Sequence, residues 1–293
     1  MDFVRQKLIP EPTFKGFVVT DSVAQGEAYK GSDVDAIIVF DPLCPEVIPG
    51  DFLWHPDEPG YLSRNERALD EMDDGWLHID GNRVDIEQYR AGKCEEIWKF
   101  QLTEGILLFD RDGDVEPVID RLIEYSDQTR RQRIASNLYH FSYHLNPEKA
   151  MRWYRRSGSL AAHCHVSAGI NYMVKMLYAY NRRWLTWPNK RVPTLLSWPD
   201  PVGRLEETLI EAQAVHEYSP GELFNRIRVL TDFRDRFIAL AQSQELLPAE
   251  DPLGYAFGVE WPQIGMRHTM SEWRKAHKLY KKRVGRHGTD DER

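Results

Sequence analysis

Gly31-Ser32-Asp33-Val34-Asp35 runs directly into Ala36-Ile37-Ile38-Val39-Phe40. A short apolar run rich in β-branched residues predicts a buried strand. Successive strand side chains leave opposite faces, so Asp33 and Asp35 share one. Two carboxylates side by side at the mouth of a strand repel and raise each other's pKa unless a cation lies between them. A hard divalent ion, Mg²⁺ above all, suits such a pair, because it binds through a few carboxylates plus substrate phosphates.

Upstream, Phe17-Val18-Val19 reads as another short strand, followed by Thr20-Asp21-Ser22-Val23-Ala24-Gln25-Gly26. A strand, a turn with a hydroxyl residue and a glycine, then Ser-Asp-x-Asp resembles the nucleotidyltransferase superfamily of polymerase β-like and aminoglycoside nucleotidyltransferase enzymes. Ser22, Gly26, Asp33 and Asp35 fill its motif places, and the similarity spans residues 14–112. Asp85, in Val84-Asp85-Ile86-Glu87, stands where the family's third carboxylate is expected, with Glu87 on the same face as its rival. The resemblance implies Mg²⁺ held by Asp33, Asp35 and Asp85, with Asp85 completing a second metal site or taking the acceptor's proton. Ser22 and Gly26 would hold the phosphates of ATP or another nucleoside triphosphate. The reaction implied moves a nucleoside monophosphate, AMP from ATP, to a hydroxyl of a small molecule, aminoglycoside-like in kind. The alternatives are a catalytically weakened regulatory or antitoxin-like nucleotide-binding protein, or nucleotidylation of a protein or RNA end.

Two positions depart from the family pattern. Its first glycine is Asp21 here, and the basic residue before the second is Gln25. Glycine lets backbone N–H groups approach a phosphate closely, whereas aspartate adds bulk and negative charge. Asp21 must turn away, or nucleotide binding is weakened, or activity is lost.

A second constellation, Asn181-Arg182-Arg183 with Lys190 downstream, is similar to a helix-end segment of some family members. Asn181, Arg182 and Lys190 are candidate triphosphate or base contacts, though cations at a helix C-terminus also suit the helix dipole. Glu206, Glu207 or Glu211 could supply a general base. His140 with His144, and His163 with His165, lack the converging spacing of a zinc site. The Trp and Tyr residues at 153, 154 and 172–187 are expected to pack helices rather than form a base-stacking platform.

The fold expected is α+β: a small mixed-sheet domain over residues 1–114, then an all-α bundle over 115–284 and a disordered basic tail over 285–293. In the first part, Trp76 to Ile79 and Arg83 to Tyr89 read as two strands joined by a hairpin turn at Asp80-Gly81-Asn82. Residues 41–61, with five prolines, read as a loop, and Ser63 to Met72 as a helix capped by Ser63. Apolar residues at helical spacing continue from Val115 onward. Residues 1–125 carry 12 Lys/Arg against 28 Asp/Glu, a balance of −16, and residues 126–293 carry 26 against 18, or +8. The acidic half favours a cationic acceptor and argues against nucleic acid. No apolar stretch approaches a membrane span, no signal-peptide core follows Met1, and the three cysteines are scattered, which together predict a cytoplasmic location.

Overall fold

The computed structural model describes residues 1–29, 31–58, 60–63, 75–261 and 270–287. The helix expected from Ser63 to Met72 lies, beyond Ser63, outside them. Two compact units divide the chain: residues 1–126 with 183–191, and residues 127–182 with 192–293.

In the first unit β1 (Phe14–Val19), a short helix α1 (Asp21–Gln25), β2 (Val34–Phe40), β3 (Asp51–Trp54), β4 (Leu77–Asp85), α2 (Ile86–Arg90), α3 (Glu96–Glu104), β5 (Ile106–Asp110) and α4 (Val115–Ile123) follow in order. The strands form one mixed sheet in the order β3-β4-β2-β1-β5, in which only β2 and β4 are parallel neighbours. Alternation along β2 sends Ala36, Ile38 and Phe40 into a core with Phe3, Leu8, Phe14 and Trp54, while Ile37 and Val39 meet α2 and α4 on the other face. Phe14 stacks on Phe109 at 5.2 Å and meets Phe40 edge-on, so aromatic area crosses three strands.

Three local readings are corrected. The proline-rich stretch contains an edge strand, β3, because Phe52 and Trp54 bury their rings beneath the sheet and align its backbone with β4. Asp80-Gly81-Asn82 is not a turn but the middle of β4, and the segment after Asp85 is helix α2 rather than strand. Gly81 is there for close approach: its N–H donates to the Gly50 carbonyl at 2.6 Å, and a Cβ would lie 2.8 Å from Ile38 Cδ1. The boundary between units also falls later than position 114. Val115, Val118, Ile119 and Leu122 of α4 bury their apolar stripe in the core beneath the sheet, so this helix belongs with the strands.

The second unit is all helical: α5 (Asp127–His144), α6 (Pro147–Ser157), α7 (Ser159–Tyr180), α8 (Arg191–Leu196, whose first residue falls in the other unit), α9 (Leu205–Gln213), α10 (Pro220–Ser243), α11 (Pro252–Glu260) and α12 (Met270–His287). Gly158, at φ 89°, breaks the long helical pattern into α6 and α7. The Ser219 hydroxyl caps α10 by accepting the Glu222 N–H at 3.2 Å, with Pro220 in the first turn. Arg226, buried on α10, ties three helices together. It donates to the Ala212 carbonyl on α9 at 2.6 Å and to the Ser167 hydroxyl on α7 at 2.7 Å. Among the described residues no helix is long and apolar enough to cross a membrane.

If Gly81 packs inside a strand, Gly81→Ala should lower stability by about 1–3 kcal/mol through overpacking. Ile38→Val, which removes the opposing methyl, should restore part of that loss in the double variant. Denaturant unfolding of the four proteins checks this; an unaffected Gly81→Ala would fit a turn instead.

Candidate active site

The parallel ladder between β2 and β4 decides which carboxylates meet. Asp35 pairs with Asp80, and Phe40 pairs with Asp85. Partners across a ladder share a face and lie about 4.8 Å apart, so Asp35 and Asp80 stand abreast. β3 adds Asp51 opposite Asp80. His78, buried two residues before Asp80, places its Nε2 2.6 Å from Asp51 Oδ1 and its Nδ1 3.9 Å from Asp33 Oδ2. Since an ionised carboxylate only accepts, the Nε2–H of His78 donates to Asp51. One face of the sheet thus carries Asp33, Asp35, Asp51 and Asp80, with the His78 imidazole between Asp51 and Asp33.

Asp85, expected as the third carboxylate, is not brought to this cluster. It sits five residues along β4 from Asp80, about 16 Å at strand rise, and in register with Phe40 of the opposite core. Its carboxylate is engaged locally, accepting the Glu87 N–H at 2.8 Å as the cap of α2 and the Leu43 N–H at 3.0 Å. Its rival Glu87 pairs with Arg90 on α2 at 2.6 Å. A hairpin at Gly81 would have returned the chain; the unbroken strand carries Asp85 away. Sequence reasoning therefore missed Asp80, which it read into a turn; once β4 runs unbroken, the spacing His78-x-Asp80 puts both on one strand face.

Asp21 lies close enough to act on the cluster. Its backbone is left-handed, φ 54°, the conformation that favours glycine at this position. Its carboxylate pairs with Lys190, a residue of the segment that returns to the first unit. Lys190, expected at a triphosphate, is engaged by the one residue that departs from the family's glycine. Ser22 is half-buried in α1, and Gly26 ends that helix at φ 74°. Asn181 and Arg182 belong to the second unit. There Asn181 donates to the Leu177 carbonyl at 2.9 Å and Arg182 pairs with Asp127.

The electrostatic consequence falls on Asp35. Burial, then the charges of Asp33, Asp21 and Asp80, push its carboxyl up to about 6, against a weaker opposing pull from Lys190. Such a site accepts either a proton or a cation. The donor set is all hard oxygen with one imidazole, which fits Mg²⁺. Among the described residues no group of three or more His, Cys, Asp or Glu side chains is placed to hold a metal ion by itself. That is compatible with Mg²⁺, which keeps waters and takes one or two carboxylates plus phosphate oxygens. Further along β4, starting at Asn82, a cavity of roughly 850 Å³ is lined by Tyr89, Lys93, Cys94 and Trp98, a size suited to a small organic ligand.

No family model matches the chain, and no curated protein matches it. Among solved structures, a nucleotidyltransferase-like protein from Exiguobacterium sibiricum 255-15 is similar, with 12% identity and a TM-score of 0.42, over 96% of this chain and 85% of that one. At that distance the likeness assigns neither family nor activity.

Because the fold raises Asp35 to about 6 while unfolded aspartates titrate near 4, the folded state binds this proton more tightly. Its stabilising contribution is complete below about pH 4 and lost as pH rises through 6. Asp35→Asn should therefore flatten the decline in melting temperature between pH 4 and 7 and melt higher than wild type at pH 8. Added Mg²⁺ should raise the wild-type melting temperature at pH 8 and leave Asp35→Asn unmoved.

Proposed function

We propose that the first unit is a Mg²⁺-dependent nucleotidyltransferase that moves AMP from ATP to a hydroxyl of a small molecule. The observation that supports it best is the carboxylate cluster itself: Asp33 and Asp35 at the mouth of β2, with Asp80 in register beside them, where burial and then the charges of Asp33, Asp21 and Asp80 raise Asp35 to about 6. Asp33 and Asp35 would hold the ion, which neutralises charge on the attacking and leaving oxygens. Asp80, exposed on β4, is the group to take the acceptor's proton. Its hydroxyl oxygen bonds to the α-phosphorus as the bond to the β-phosphate oxygen breaks and pyrophosphate leaves. His78, its Nε2 2.6 Å from Asp51 Oδ1, stands beside Asp33 without a hydrogen bond to it, its Nδ1 3.9 Å from Oδ2. The aminoglycoside-like choice of acceptor rests on resemblance and on the acidity of this unit alone.

Asp21 favours a second reading, a regulatory nucleotide-binding protein of reduced catalytic power. A carboxylate at a glycine-like backbone position, paired with Lys190 and adding to the charge on Asp35, opposes the approach of a polyphosphate.

Pyrophosphate release from ATP with a panel of hydroxyl acceptors, with and without Mg²⁺, tests the enzyme reading. Asp33→Ala, Asp35→Ala and Asp80→Ala should each lower the rate at least a hundredfold, whereas Asp85→Ala should lose only about 1 kcal/mol of stability as a missing cap and keep its activity. Equal loss in Asp85→Ala, or release independent of Mg²⁺, would defeat the assignment. Asp21→Gly should relieve about 1 kcal/mol of backbone strain and tighten Mg²⁺–ATP binding measured by calorimetry. If that variant binds no better than wild type, Asp21 is not what limits the nucleotide.

A further inference from the structure

The second unit carries a surface that the chemistry above does not use. Helix α6, Pro147-Glu-Lys-Ala-Met-Arg-Trp-Tyr-Arg-Arg-Ser157, has four basic residues against one acidic. Arg152, Arg155 and Arg156 are exposed and make no hydrogen bond or ion pair with any described residue. Most exposed arginines near carboxylates find one, so three adjacent free guanidiniums make an uncompensated positive field. Two grooves flank the helix. One, of about 630 Å³, is lined by Glu148, Met151, the three arginines and Phe224 of α10. The other, of about 200 Å³, is lined by Tyr143, Lys149 and Trp153, and Arg152 and Arg156 border both.

Aromatic rings are interleaved with these cations. Trp153 packs its ring near His165 of α7 at 6.1 Å, as the sequence suggests, yet stays 44% exposed, and Phe224 is 42% exposed, so both leave part of a ring open to solvent. The acidity that argues against nucleic acid belongs to residues 1–125, whereas this face stands in the half with a balance of +8. Guanidiniums that track phosphates beside open aromatic faces on which bases stack are the two elements of single-strand recognition. A small anion would need no exposed indole, and a duplex would bury its bases away from it.

We propose that the α6 face binds single-stranded nucleic acid, with Arg152, Arg155 and Arg156 on the phosphates and Trp153 and Phe224 against bases. The basic helix α12, with Trp273 and His277 stacked at 4.7 Å, adds positive charge to the same unit. Loss of the α6 arginines should therefore weaken binding without abolishing it. The test is fluorescence anisotropy of the full chain with a labelled oligouridylate of about 20 nucleotides, longer than one binding site of about 4–16 nucleotides, across a salt series. Wild type should bind with a steep salt dependence. Arg152→Ala/Arg155→Ala/Arg156→Ala, checked for unchanged thermal unfolding, should bind at least tenfold more weakly with its log–log salt slope reduced by about 2, at roughly 0.7 per lost phosphate contact. Trp153→Ala should weaken binding at an unchanged slope and leave inorganic polyphosphate binding alone. No binding at low salt, a triple variant within tenfold of wild type, or a Trp153→Ala variant equal to wild type would each overturn the proposal, the last by reducing the face to a general anion site.

Discussion

The register of one parallel strand pair governs the candidate site. Setting Asp35 against Asp80 places like charges abreast on a half-buried surface, where water compensates them incompletely. Everything else near the site responds to that charge. Lys190 reaches in to partner Asp21, and the imidazole of His78 lies between Asp51 and Asp33. The register is in turn held by packing. A slip of one residue would send Ala36, Ile38 and Phe40 to the wrong face of the sheet, and Gly81 admits Ile38 only at its present height. The same apolar side chains that hold the sheet together therefore hold the carboxylates in place.

Much of this was legible in the chain itself. The apolar run after Asp35 is too strongly patterned to be anything but a buried strand, and the paired aspartates at its mouth follow from alternation alone. The helical half was legible as well, because glycine at 158 and proline at 220 punctuate it with local chemistry. What misled was Asp80-Gly81-Asn82, whose residues are those of a tight turn. Turn residues state what the backbone can do; only the neighbouring strand, here Ile38 with its side chain over Gly81, dictates that glycine serves close packing instead. That single misreading hid Asp80, which stands in register with Asp35, and pointed to Asp85 instead. Likewise the edge strand β3 was hidden among prolines, since its pairing depends on β4 and on rings buried from elsewhere in the chain.

Charge is segregated between the two halves of the chain, and the two halves carry different chemistry. In the first unit, burial and then neighbouring carboxylates push Asp35 up to about 6. Guanidiniums on α6 in the second unit remain free and flank exposed rings. The proposed hard cation would suit the first arrangement and the proposed phosphate backbone the second. Asp21 is the residue in which these demands conflict: its glycine-like backbone belongs to a turn that would approach phosphate, yet its side chain is negative and takes up the nearby lysine.

The most direct measurement is the titration of the Asp35 carboxyl by ¹³C NMR in the wild type, in Asp80→Asn and in Asp85→Asn. The predicted result is a resonance titrating near 6 in the wild type, shifted toward the ordinary aspartate range by Asp80→Asn and unmoved by Asp85→Asn. An Asp35 that responds to Asp85 and ignores Asp80 would contradict the register on which the site is built.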